Sequence, residues 1–417
     1  MKTVTVPARR WYDNEERVLT FPDRWDVDHL TAPGLEKPCL TLSQIRVKIE
    51  NPIDGPALSE LACGKRQAVI VFDDMTRPTP VKDAARVVLD ALHKAGMGKD
   101  QIRFIWALGA HGAYDLINAR KKLGTDIVEN YRVFNHDAFQ AHHLTYVGRT
   151  PNGVDLWFNR EFMGCDLKIA IGCVTPHVQA GFGGGAKIIM PGVAGIETIN
   201  QYHKQLDRNP ASFGLGKFDN NILRREIDFA GDAVNLNFKI DCLINRRGEI
   251  ADLFAGSFRA THMAGAEAGK EHYGIDPATG YDIVVSNGYA KASESGICTL
   301  LAISAVKHGV GSCVVIMDAP EGQATHYVFR SWGEGYGGTQ YHHHRPGTRF
   351  VPHVMKRFIV FNPSPDPNCI DVVCHNDDAV FVKTWEEALA ILQEEYPGPA
   401  RVAVIPDGTM QFMRNSR

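Results

Sequence analysis

The chain has 417 residues, 44% of them apolar and 22% charged, with a formal net charge of −3. That length exceeds what one hydrophobic core usually spans, so two domains are expected. The near-balanced charge gives no electrostatic basis for binding nucleic acid or an anionic membrane, and no apolar run has membrane-spanning length. The opening residues MKTVTVPARRWYDNEE lack the apolar core of a secretion signal, so a cytoplasmic protein is expected. The nine cysteines form no C-x-x-C pair, which disfavours a zinc ribbon or a dithiol redox site.

In chain order, AVIVF at 68–72 predicts a short buried strand that leaves through the loop DDMTRPTP. Val81, Ala84, Ala85, Val88, Leu89 and Leu92 then recur at helical spacing. Thr79 is the candidate cap of that helix, Pro80 suits its first turn and Gly96 its end. IRFIWAL at 102–108 predicts the next strand and runs into GAHGAYD. A second unit begins with LKIAIG at 167–172 and opens into CVTPHVQAGFGGGAK. A third contains YDIVVSN at 281–287, the loop GYAKASESG, a helix from about Ile297 to His308, and the strand VVIM at 314–317. The stretch 331–350, with Trp332, Tyr336 and His342 to His344, reads as a binding loop or flap. TWEE at 384–387 has the form of a capping box, and RVAVI at 401–405 closes the pattern.

This alternation predicts an α/β protein: two domains with Rossmann-like, largely parallel sheets and an active site in the cleft between them. The expected division is an N-terminal domain over 1–270 that carries the cofactor and catalytic residues, and a C-terminal α/β domain over 271–400. The segment 401–417 is expected to return to the first domain. The small, polar stretch GAEAGKEHYGIDPATG marks the boundary. DDMTRPTP, GAHGAYD, CVTPHVQAGFGGGAK and GYAKASE all follow the carboxyl end of a predicted strand, which is where ligands bind in open α/β sheets.

Several residues in these loops can carry chemistry. The Arg77 fork suits a carboxylate or phosphate, and Asp74 could orient it or accept a substrate hydroxyl; a salt-bridged turn capping the next helix accounts equally well for both. His111 lies between small residues just past a strand, where an imidazole can act as a base, although most of 17 histidines serve structure. Gly181 and Gly183 to Gly185 strip side chains from the loop between His177 and Lys187, so that a bulky ligand could approach the backbone. The run is neither a Walker loop nor a dinucleotide fingerprint, because Ile188 follows the lysine and G-x-G-x-x-G is missing from the strand–turn–helix context. Ile196, Ile199 and His203 fall at i, i+3 and i+7, placing His203 on the inward face of a helix, as a buried structural residue or a metal ligand.

Together DDMTRPTP, the His111 loop and PHVQAGFGGGAKIIMPGVAG resemble the nickel-pincer lactate racemase family over most of residues 10–310. The resemblance implies a nickel pyridinium-3,5-bisthiocarboxylic acid mononucleotide joined covalently to Lys187, with His203 as the nickel ligand. It also implies that His111 and His177 are the two acid–base residues. Asp74, Thr76, Gly184 and Gly185 are then expected at the cofactor, and Arg77 and Lys291 at the substrate. The implied activity is inversion at C2 of a 2-hydroxy acid by proton-coupled hydride transfer, with a small molecule as the partner and a homo-oligomer left open. Gly112 follows His111 where the family's lactate enzymes usually carry arginine, and Gly183 stands where serine is frequent. Loss of that fork points away from lactate and toward a larger hydroxy acid. The alternatives are a nicotinamide- or metal-dependent oxidoreductase or lyase, and a non-catalytic protein that binds an anionic ligand.

Overall fold

The computed structural model describes residues 1–205, 209, 212–328, 354–364, 366 and 378–414. The 331–350 loop with its triple histidine, Cys369 and Cys374 lie outside the described residues. The chain divides into two compact units, one of residues 36–272 and one of residues 1–35 with 273–417. The division differs from the expected 1–270, 271–400 and 401–417. Residues 1–35 belong with the C-terminal unit, because Asp26–His29 pairs in parallel with Arg401–Ile405. The same pairing keeps 401–405 in that unit instead of returning it to the N-terminal one. The division at 272/273 falls within the stretch GAEAGKEHYGIDPATG, whose first nine residues belong to the helix Phe258–Tyr273.

The 36–272 unit is built on a six-stranded sheet. Its spatial order is Ile250–Gly256, Phe238–Ile244, Leu167–Cys173, Ala68–Asp73, Ile102–Ala107, Arg132–Asn135. All neighbours are parallel except the pair of Ile250–Gly256 with Phe238–Ile244. Numbered along the chain this is the Rossmann order 3-2-1-4-5-6, and it reverses between Ala68–Asp73 and Leu167–Cys173. Both of those strands are buried at every position, as a parallel sheet covered on two faces requires. Val81–Lys94 covers part of it, burying Val81, Ala84, Ala85, Val88, Leu89 and Leu92 as the spacing predicts. Pro80 takes its N-cap position without a side-chain cap, since the Thr79 hydroxyl donates to Asp73 instead.

The other unit has its own six-stranded sheet, parallel throughout: Val380–Val382, Arg357–Phe361, Ser312–Ile316, Ile283–Asn287, Arg401–Ile405, Asp26–His29. Its core gathers Trp25, Ile283, Val285, Val314, Ile316, Val402 and Val404 with Leu392 of the helix Trp385–Glu395. That helix starts with the Thr384–Glu387 capping box read from TWEE. The region expected to be a helix from Ile297 to His308 is a 3-10 turn over Ala292–Ile297 followed by Cys298–Ala305. No helix among the described residues is long and apolar enough to cross a membrane.

Candidate functional site

Asp73 and Asp74 leave the first strand of the 36–272 sheet where its order reverses, opposite the exit of Leu167–Cys173 into the glycine loop. Their two carboxylates serve different partners. Asp73 accepts from Lys122 Nζ at 2.6 Å and from the Thr79 hydroxyl. Lys122 also donates to the Arg77 carbonyl at 2.7 Å, so one fully buried ammonium ties the strand end to the loop beyond it. Burial pushes the Lys122 pKa down, opposed by Asp73.

Asp74 Oδ2 accepts from His111 Nδ1 at 2.5 Å, and Oδ1 accepts from the Thr76 amide at 2.9 Å and its hydroxyl at 2.5 Å. Burial alone would raise this carboxyl, but His111, Arg77 and Thr76 outweigh it and hold the pKa below its ordinary value. Asp74 thus orients His111, with the Arg77 guanidinium adding positive charge nearby. Arg77 donates Nη1 to the Thr76 hydroxyl at 2.8 Å and to the Thr76 carbonyl at 3.1 Å. Thr76 is fully buried with its hydroxyl committed to these neighbours, which makes it a brace within the loop.

The loop after Leu167–Cys173 folds back as a two-residue pairing of Pro176–His177 with Gly181–Phe182. His177 Nδ1 accepts from the Gln179 amide at 3.2 Å and the Ala180 amide at 3.1 Å. Lys187 sits half-buried in the 3-10 turn Gly185–Ile188. Gly184 and Gly185 before it are required by backbone and packing. Gly184 has φ 89° and Gly185 φ 57°, and added Cβ atoms would meet Val174 at 2.6 Å and His262 at 2.9 Å. The Gly185 amide donates to Asp241 Oδ2 at 2.8 Å and the Gly184 carbonyl accepts from Arg224 at 3.2 Å, which fixes the backbone of the run.

Those anchors, with Lys122, are the residues that reading the sequence missed. Lys239 and Asp241 are fully buried and pair at 2.7 Å inside Phe238–Ile244. Two opposite charges at i and i+2 within FKIDCLI are the signal that could have found them, because such neighbours share one face of a strand. Cys173 Sγ lies 3.8 Å from Asp73 Oδ2, and a Cβ added at Gly172 would meet Asp73 and Ile188 at 3.4 Å and Lys239 at 3.6 Å. The His111 loop and the Lys187 turn are thus each anchored by a buried ion pair, Asp73–Lys122 for the first and Lys239–Asp241 for the second. Gly109, two residues before His111, adds an amide bond to the Gly192 carbonyl at 2.8 Å.

His203 ends the helix Ile196–His203, buried alongside Ile196 and Ile199 as the spacing predicts. Its Nδ1 donates to the Ile199 carbonyl at 2.8 Å, leaving Nε2 as the nitrogen with the lone pair. A ring fixed this way through the backbone has the form in which imidazole binds a metal. Helix Ile222–Ala233 packs against both the Lys187 turn and the His203 helix. Lys291 belongs to the other unit, where it follows Ile283–Asn287, is 1% exposed, and bonds through its amide to the Thr409 hydroxyl.

Residues 12–214 match the family model described as the lactate racemase N-terminal domain. A lactate racemase of Thermoanaerobacterium thermosaccharolyticum is 31% identical over 245 residues, which span 58% of this chain and 57% of that protein. A lactate racemase of Lactiplantibacillus plantarum is 26% identical over 394 residues, 87% of this chain and 89% of that one. Among solved structures, the lactate racemase apoprotein of T. thermosaccharolyticum superposes with a TM-score of 0.75 at 23% identity, covering 99% of this chain and 100% of that one. A crystal structure of a Thermotoga maritima protein gives a TM-score of 0.64 at 18% identity, over 92% and 100%. At such identities the structural likeness speaks for the fold.

Proposed function

The chain belongs to the lactate racemase family, and from that premise we propose that it inverts C2 of a 2-hydroxy acid with a nickel-pincer nucleotide carried on Lys187. The observation that carries this reading is the Asp74–His111 pair at the sheet's switch point, beside the strand whose loop bears His177 and Lys187.

The residues suit such a group on the chemistry of their donors. His203 presents Nε2 as a ligand nitrogen, and Lys187 offers an amine able to form the thioamide. When bound, the nucleotide supplies a carbon that can take up and return hydride. That chemistry spares the protein from removing a proton at C2, where acidity beside a carboxylate is very low.

The chain's own contribution is proton handling and alignment. Asp74, held ionised, fixes His111 with its hydrogen on Nδ1 and its lone pair on Nε2, ready for a substrate hydroxyl proton. His177 is the second acid–base group, which handling of either enantiomer requires. Arg77 would hold the substrate carboxylate, aligning the reacting carbon. Gly112 offers no fork beside His111, so an acid with more carbon or hydroxyl groups than lactate is the expected substrate.

Intact-mass analysis of protein co-expressed with cofactor-synthesis enzymes tests this directly. Added mass should appear on the wild-type chain and vanish in Lys187→Ala. A chiral assay over a panel of 2-hydroxy acids should then show inversion, faster for larger members than for lactate. A loaded protein that releases free keto acid, or leaves every configuration unchanged, rules the reading out.

A further inference from the structure

We propose that His111 and His177 are wired in opposite tautomers, so that the resting protein carries one proton acceptor and one proton donor instead of two interchangeable bases. The inference takes the identity of the pair from the function proposed above; the wiring itself follows from hydrogen bonds alone.

At His111 the partner of Nδ1 is a carboxylate oxygen, Asp74 Oδ2 at 2.5 Å. An ionised carboxylate only accepts, so the hydrogen is on Nδ1 and the neutral ring carries its lone pair on Nε2. At His177 the arrangement is reversed. Two backbone amides, Gln179 at 3.2 Å and Ala180 at 3.1 Å, donate to Nδ1. An amide only donates, so Nδ1 supplies the lone pair and the neutral ring keeps its hydrogen on Nε2. The clamp is part of the tight turn itself, because His177 pairs across from Gly181 with 179 and 180 between them.

The two rings then do different things to a hydroxyl. The O–H bond of a substrate can break with its proton passing to His111 Nε2, and Asp74 stabilises the imidazolium that forms. His177 Nε2–H can donate to a substrate oxygen, but it can take a proton there only after its own hydrogen has moved to Nδ1. That movement requires both amide bonds to open. Turnover beginning on the His177 side therefore includes opening of the 176–182 turn, whereas turnover beginning on the His111 side does not.

The test is nitrogen NMR of the full-length protein labelled at histidine, with and without cofactor, since bare and protonated ring nitrogens resonate far apart. Loss of one ring system each in His111→Gln and His177→Gln assigns the signals. The expected wild-type spectrum has His111 protonated at Nδ1 and His177 at Nε2. Matching tautomers, or rings averaged between both forms, overturn the inference whatever the activity. In Asp74→Asn the new amide can donate to His111, which should move its hydrogen to Nε2. Loaded protein should then lose activity by about ten-thousand-fold, as when the same exchange gives the wrong tautomer in a Ser–His–Asp triad. A His111 that keeps its Nδ1 hydrogen in that variant also counts against the wiring. Opposite tautomers in a loaded chain that inverts no 2-hydroxy acid would leave the wiring standing and remove the function.

Discussion

Asp74 follows Ala68–Asp73 in one unit, where the strand order of the sheet reverses, and Asp407 follows Arg401–Ile405 in the other, a strand inserted between Asp26–His29 and Ile283–Asn287. Both are nearly inaccessible, at 3% and 2% exposure. Asp74 has His111 and Arg77 for company, and its pKa falls below the ordinary value despite its burial. Asp407 accepts from the Ala290 amide and from the Thr409 amide and hydroxyl, and burial pushes its pKa up to about 6, against those bonds and the charge of Lys291. Depth alone does not decide whether a carboxylate stays charged at a sheet edge. The nearness and sign of its neighbours do.

The sharpest way to break this contrast is to remove a cation from the first edge. Lys122→Met leaves Asp73 buried without its ammonium and should destabilise the 36–272 unit by about 3–5 kcal/mol. Denaturant unfolding measures the loss, and adding Asp73→Asn should recover part of it. No recovery would mean that Lys122 acts through packing instead of charge.

Acid separates the units by sign. Burial lowers the pKa of His136 from 6.5 to about 4, and His272 moves the same way. Above 6.5 such a ring is neutral folded or unfolded; between 6.5 and 4 only the unfolded chain binds the proton. The 36–272 unit should thus lose about 3 kcal/mol through His136 as pH falls across that window. Asp407 runs the other way: between about 6 and 3.8 the folded form holds the extra proton. Its unit should gain about 3 kcal/mol over that fall in pH. Hydrogen exchange followed separately in each unit from pH 7 to 4 should show opposite slopes, with the rising one absent in Asp407→Asn. Parallel slopes would end the comparison. The smallest effect is expected from Thr409→Val, which removes one hydroxyl donor from Asp407, costs about 1 kcal/mol near neutral pH and raises the carboxyl's titration midpoint further.

Much of this was legible in the sequence where apolar residues and turn chemistry coincide. AVIVF, LKIAIG, VVIM and RVAVI are strands because buried parallel strands are written as unbroken apolar runs. Asp26–His29 escaped notice because DVDH is a short edge strand with no such run. It took the neighbouring Arg401–Ile405 to give it a place. At the site, the loops were legible but their internal wiring was not. Nothing local in DDMTRPTP shows that Asp74 bonds a histidine 37 residues on, or that Lys122 closes on Asp73 from a later helix. In the 181–185 run, packing accounts for three of the glycines: Gly181 lies against the Lys217–Phe218 backbone, Gly184 against Val174 and Asp241, and Gly185 against His262.

The way one unit interrupts the other has a consequence during synthesis. Every strand of the 36–272 sheet has been made before Tyr273, so this half can close while the ribosome is still working. Asp26–His29 emerges earlier still, yet its partner at 401–405 follows only after the whole 36–272 unit. A nascent chain must therefore carry an unpaired strand while the whole 36–272 unit is made. The short, acidic make-up of DVDH suits that wait, since charge on an open edge discourages pairing with a neighbouring chain.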